Sequence, residues 1–287
     1  MQYRVTIRDT PGIAFFGSTT VVGCGGTGGF VAEGLCRLLP KEETLLLIDH
    51  DRVEPHNLRR QNFFDGDVGK FKSQVLAERL SRQYGKKVGY CTRPYNRHLL
   101  KGSDLGGSFQ TYAAQGLVIG CVDNAGARRE IMESMRFGSW WLDAGNGRHS
   151  GQVLLGNALV AGDVEKAFNP EDQTVHALPV PALQAPDLLA PSAAPARPRD
   201  CAQALDEDQS PVINQAMAVL VLEFVHRLLD NSLYWMGAYI DLEAGTRQTV
   251  PAQPEAVARI FGIAPDVLTG SGRRRAVRTR VRERGLA

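Results

Sequence analysis

The sequence predicts an α/β fold: a doubly wound, mostly parallel sheet with antiparallel strands toward its C-terminal side. Three observations carry that expectation. Short β-branched or aliphatic runs alternate with stretches of helical periodicity through the first half of the 287 residues. A glycine cluster (Gly23, Gly25, Gly26, Gly28, Gly29) joins the run Thr19–Val22 to a helical stretch marked by Phe30, Val31, Leu35, Leu38 and Leu39. A second apolar run then ends in Asp49. Strand, glycine turn, helix and strand make one βαβ unit suited to a nucleotide.

Tyr3–Ile7 reads as a short strand before a turn at Pro11-Gly12. In the βαβ unit, glycines let backbone approach phosphate and the helix start offers unpaired N–H groups to an anion. Asp49 lies where a strand-end carboxylate accepts hydrogen bonds from ribose hydroxyls. From Lys72 to Tyr84, Val75, Leu76 and Leu80 fall at helical spacing, and Val88–Thr92 reads as a third strand. Leu99–Gln115 is Gly- and Ser-rich with little periodicity. Gly116–Val122 is a buried parallel strand ending in Asp123-Asn124, and a helix is expected from Ala125 to Phe137. Asp123 should face the same crevice as Asp49, because ligands in open α/β sheets sit at the carboxyl ends of strands. Trp140–Gly147 reads as a strand and turn, and Gly151–Val160 as a strand with an antiparallel partner. Pro211–Leu229 is a helix apolar on several faces, and Tyr239–Val250 a closing hairpin.

Composition bounds the function. The formal net charge is +2, but seven arginines and one glutamate crowd Arg273–Ala287, about +6, leaving the rest near −4. That basic tail is read as a solvated segment, with contact to nucleic acid or an acidic partner as the alternative. The five cysteines (Cys24, Cys36, Cys91, Cys121, Cys201) form no CxxC pair, so neither a disulfide framework nor a structural zinc site is expected. The N-terminus has no signal-like apolar core, and the apolar run Val212–Leu229, interrupted by Glu223 and His226, reads as too short to span a bilayer. A cytoplasmic protein without membrane contact is the expectation.

Gly23, Gly25 and Gly28 alone also fit nicotinamide and flavin enzymes. The residues after the carboxylate separate the cases. Asp49-His-Asp51-Arg-Val53 leads into Asn57-Leu58-Arg59-Arg60-Gln61, then Asp67-Val68-Gly69 and Lys72. A polar, cationic strip of this kind suits cleavage of ATP, since arginine and lysine neutralise charge on phosphoryl oxygens.

With these motifs in this order, and the later Asp123-Asn124 pair, residues 17–251 resemble the ThiF/MoeB family of ubiquitin-activating-like adenylyltransferases. Around WLDAGNGRHSGQVLLG the chain is similar to the ThiF-like branch of the PRTRC cassette, whose members are encoded beside a small ubiquitin-like protein. The resemblance implies a Rossmann-like domain over 1–262, with a crossover loop at 163–211 and the basic tail at 263–287. Eight of the fifteen prolines fall between Pro170 and Pro211. It implies ATP and Mg²⁺, with Asp49 on the ribose and Gly23, Gly25 and Gly26 allowing close approach. It places Asn57, Arg60, Gln61 and Lys72 on the phosphates, and Asp123, beside Asn124, on the metal. Asp51 either joins them or orders its loop. Arg128 holds a position where relatives carry an arginine; a surface charge is its other reading. Cys201 is the expected acyl acceptor, with an incidental thiol as the alternative. Arg4 or Arg8 is a candidate to reach ATP across a homodimer, although a solvated surface arginine is the simpler reading. The implied partners are a small ubiquitin-like protein and a conjugating-enzyme-like protein. The rival readings are adenylation of a peptide or tRNA-borne carboxylate, a non-catalytic activating-enzyme-like scaffold, and a nicotinamide oxidoreductase.

Overall fold

The computed structural model describes residues 1–7, 18–96, 116–135, 138–190 and 210–270. An eight-stranded sheet organises them. Its parallel part is β2 (Ser18–Val22), β3 (Thr44–Ile48), β4 (Val88–Cys91), β5 (Leu117–Gly120) and β6 (Trp140–Asn146). The antiparallel strands β7 (Ser150–Gly156), β10 (Trp235–Asp241) and β11 (Thr246–Pro251) continue it beyond β6, giving the order β11-β10-β7-β6-β5-β2-β3-β4. A separate small sheet pairs β1 (Arg4–Val5) with β9 (Thr174–Val175), and β9 with β8 (Phe168–Asn169).

Side chains of the parallel strands alternate between two apolar layers, as the two-residue period requires. Val21, Leu45, Leu47, Leu117, Ile119, Trp140 and Leu142 join the layer shared with α1 (Gly26–Leu38), α2 (Lys72–Tyr84) and α5 (Pro211–Leu229). Val22, Leu46, Ile48, Val118 and Trp141 join the opposite layer, with Ile131 of α3 (Ala125–Ser134) and with Val180 and Ala182 at the short α4 (Pro181–Gln184). Chain progression reverses between β2, which leads outward to β3, and β5 on its other side. That topological switch opens a crevice at the carboxyl ends of the central strands.

The stretch expected as a crossover loop contains regular elements. Its described part, up to Ala190, carries β8, β9, α4 and a 3₁₀ turn over Pro186–Leu189. Val164, Phe168, Val175, Leu178 and Val180 are buried, because isolated apolar residues there find long-range partners rather than local periodicity. Folded structure also continues past 262: α6 (Pro254–Phe261) is followed by α7 (Pro265–Thr269), which buries Leu268. Cys201, Arg8 and residues 271–287 lie outside the described residues.

Helix α5 departs from the expectation that its apolar run is too short to span a bilayer. Val212–Leu229 is 18 residues and, by length and composition alone, long and apolar enough to cross a membrane. It is the core helix here: Ile213, Met217, Val221, Phe224 and Val225 are fully buried against α1 and the sheet, whereas Val219 is 65% exposed. Phe224 packs edge-on against Trp235 at 6.1 Å. Phe224→Ala should therefore cost about 3–5 kcal/mol of stability, and the exposed Val219→Ala under about 1 kcal/mol. Equal losses in denaturant titration would contradict this placement of the helix.

Candidate nucleotide site

The crevice holds a cavity of about 880 Å³, within the usual range for small-molecule and cofactor sites. Its floor is the loop between β2 and α1. Gly23 has φ +88°, a left-handed conformation that a side chain rarely tolerates. Gly26 starts α1 against the carboxamide of Asn214 on α5, so a Cβ there would collide with that side chain. The helix begins without a side-chain cap, and Gly25, Gly26 and Thr27 at its start line the cavity.

Asp49, at the end of β3, is nearly buried and fastens this floor. Its Oδ2 accepts the Cys24 backbone N–H at 2.6 Å and its Oδ1 accepts that of Asp51 at 2.8 Å. Burial, the largest effect, raises its carboxyl pKa above the ordinary value, opposed by those two bonds and by Lys72. Each oxygen keeps a further lone pair for a ligand. Ser73 at the start of α2 donates to the Asp49 carbonyl at 2.8 Å, and the Lys72 backbone N–H donates to the Asp51 carbonyl at 2.9 Å. The start of α2 is thereby locked onto the end of β3.

The cationic strip lies along one wall. Lys72, itself buried, pairs through Nζ with the exposed Asp51 at 3.1 Å. Asp51 therefore both orders the loop and balances Lys72. Arg60 and Gln61 line the cavity, and the nearly buried Gln61 has an Oε1 without a hydrogen-bond partner among the described residues. Asn57 is buried, and its side-chain oxygen accepts the Glu54 backbone N–H at 3.0 Å, so it also holds the 3₁₀ turn Pro55–Arg59. On the opposite wall Asp123 is exposed to the cavity. Asn124 caps α3 by accepting the Ala127 N–H at 2.8 Å and donates to Asp123 at 3.4 Å. Arg4, in the small sheet, does not line this cavity.

Sequence reasoning missed a second set of residues. Thr27 of α1 donates to Asn146 of β6 at 3.3 Å, Asn146 to Asn214 at 3.5 Å, and Asn214 to the Arg60 carbonyl at 3.5 Å. The available signal was Asn214 itself, a polar residue at a buried position of an apolar helix. Arg128 is not a surface charge: it is buried, and its Nε donates to both oxygens of the fully buried Asp143, at 3.2 and 3.1 Å. Burial raises the Asp143 carboxyl to about 6 despite the opposing charge of Arg128. Burial likewise raises the thiols of Cys24 and Cys121, and that of Cys36 to about 11, so none of these three is an activated nucleophile.

A profile of the ThiF family matches residues 15–228. The chain belongs to the ThiF family. It is 33% identical over 148 residues to ubiquitin-like modifier-activating enzyme 5 of Dictyostelium discoideum, covering 48% of this chain and 38% of that protein. It is 31% identical over 158 residues to the Gallus gallus protein of the same name, covering 52% and 39%. The chain thus spans well under half the length of the curated relatives it matches. Among solved structures, PaaA superposes with a TM-score of 0.56 at 17% identity, over 82% of this chain and 72% of that one. Escherichia coli MccB with ATP gives 0.51 at 17% identity, over 82% and 63%. These likenesses establish the Rossmann-like family fold.

The raised Asp143 carboxyl gives a pH signature. The folded state holds this proton more tightly than the unfolded chain does, so this group's contribution to stability falls as pH rises from about 4 to about 6 and is then level. Relative to Asp143→Asn, the unmodified chain should lose melting temperature across that window. A difference independent of pH would show that the carboxyl is not held in this way.

Proposed function

We propose that this chain is an ATP-dependent adenylyltransferase that activates the C-terminal carboxylate of a small ubiquitin-like protein. The observation that carries the reading is convergence. The glycine loop, Asp49, Asn57, Arg60, Gln61, Lys72 and Asp123, spread over a hundred residues, line one cavity at the sheet's switch point. Family membership and the likeness to the activating enzymes named above support it, as does the PRTRC-like stretch around Asp143.

In this reading a carboxylate oxygen of the second substrate attacks the α-phosphorus of ATP. The bond from that phosphorus to the bridging oxygen breaks, and pyrophosphate leaves with the electron pair. The product is an acyl-adenylate. Asp49 accepts from the ribose hydroxyls with its remaining lone pairs, and the open N-terminus of α1 receives phosphate oxygens. Lys72 and Arg60 neutralise the triphosphate; Lys72 is held ready by Asp51. Asp123, an exposed hard-oxygen donor oriented by Asn124, suits Mg²⁺. When bound, that ion would offset charge on the phosphates. Transfer of the acyl group to Cys201, as a thioester with loss of AMP, is the step proposed to follow, with a conjugating-enzyme-like protein downstream and a homodimer as the working unit.

A second reading keeps the chemistry and changes the substrate to the carboxyl end of another polypeptide. Its support is the fold likeness to MccB solved with AMPCPP and MccA, with a TM-score of 0.51. Pyrophosphate exchange into ATP with Mg²⁺ separates the two. Exchange should require a ubiquitin-like protein with an intact C-terminus, and should fall about 100-fold or more in Arg60→Ala, Lys72→Ala and Asp123→Ala with the melting temperature kept. Exchange driven by short peptides alone would favour the second reading. Cys201→Ala should leave exchange intact and abolish the thioester; an unchanged thioester would remove Cys201 from the account.

A further inference from the structure

Arg128 and Asp143 form a buried ion pair that none of the nucleotide-binding roles uses. Asp143 lies on the same face of β6 as Trp141, beneath α3, with Gly120 of β5 and Leu154 of β7 as its strand neighbours. Two apolar side chains would fill this space without the cost of desolvating two charges. The geometry of the pair is also partial. Asp143 engages only Nε, and among the described residues no hydrogen bond is made by the two terminal amino groups of Arg128. Those groups lie at Gly145: Nη2 is 3.1 Å from where a Cβ would stand on that residue, and both Arg128 and Gly145 line the cavity.

The position is informative. The glycine loop and Asp49 occupy the carboxyl ends of β2 and β3, on one side of the cavity. On the other side, beyond β6, Gln152 lines both the main cavity and a shallow groove of about 270 Å³, which Ser150, Gly151, Tyr239 and Gln248 continue toward β11. A second substrate reaching the α-phosphorus by this groove passes the terminal amino groups of Arg128. A guanidinium fixed at Nε presents its outer N–H groups in a fork that matches a carboxylate.

We propose that Arg128, held in orientation by Asp143, binds the reacting carboxylate of the second substrate and keeps the acyl oxygen in place once the acyl-adenylate forms. The inference rests on the adenylyltransferase reading and assigns its acyl subsite. Arg128 would touch the reacting group, Asp143 would position Arg128, and the guanidinium would keep its protons throughout.

The test uses two probes that need no knowledge of the natural substrate: AMP, and glycylsulfamoyl adenosine, an acyl-adenylate mimic that adds the acyl carbonyl. Affinities for both are measured by calorimetry on the full chain. In Arg128→Gln the mimic should weaken about tenfold to a hundredfold while AMP changes less than about threefold. Arg128→Lys should recover part of that loss. Asp143→Asn should weaken the mimic selectively but less than Arg128→Gln, and the double variant R128Q/D143N supplies an uncharged pair should Arg128→Gln alone unfold. Parallel loss of AMP and mimic would place Arg128 on the α-phosphate and overturn the inference. Unchanged binding of both by a folded variant would make the pair structural and also overturn it. Failure of the unmodified chain to bind either AMP or MgATP would instead defeat the nucleotide reading on which the inference stands.

Discussion

The rest of the site depends on the carboxylate of Asp49. One side chain accepts backbone N–H groups from the glycine loop and from the loop after β3, while its own carbonyl takes the Ser73 hydroxyl at the start of α2. Three segments are tied at one point. Hydrogen bonds to an ionised acceptor are worth about 1.5–3 kcal/mol each, enough to fix loops that have little apolar packing of their own. The carboxylate is an internal tie and, in the proposed function, also the acceptor for the ribose. Its raised pKa records the cost of burying it.

Around that tie the charges are arranged in balance before any ligand arrives. Lys72 rests on Asp51, and Arg128 rests on Asp143. The two pairs differ in their surroundings. Asp51 is exposed and can yield Lys72 to phosphate at little cost, whereas Asp143 is sealed between strands and cannot follow a ligand. The first pair therefore suits an exchange of partners, and the second suits a fixed orientation. Asn214 performs the corresponding task without charge, joining α5 to the glycine loop, to Asn146 and to the Arg60 carbonyl.

What the sequence made legible was local. The glycine turn, the amphipathic helix from Lys72 to Tyr84, the strand leading to Asp123 and the closing hairpin each carry their signal within a short window, and each forms. Features built from distant residues left little mark beyond Asn214, a polar residue within an apolar helix. Arg128 and Asp143 are fifteen positions apart on different elements, and Asn146 and Asn214 are sixty-eight apart. The small sheet joins two-residue strands from opposite parts of the chain. The stretch expected as a crossover loop gave no local sign that its scattered apolar residues, such as Phe168 and Leu178, fill gaps in the core. Gly26 fitted the expected pattern for a partly different reason, since its missing side chain also makes room for Asn214.

The central claim is that this cavity takes a nucleoside triphosphate through its cationic wall. Calorimetric titration of the full chain with MgATP and, separately, with NAD tests it most directly, together with Lys72→Ala. The account predicts saturable MgATP binding, about tenfold or more weaker in Lys72→Ala at an unchanged melting temperature, and no binding of NAD. Binding of NAD, or MgATP affinity indifferent to Lys72, would contradict it.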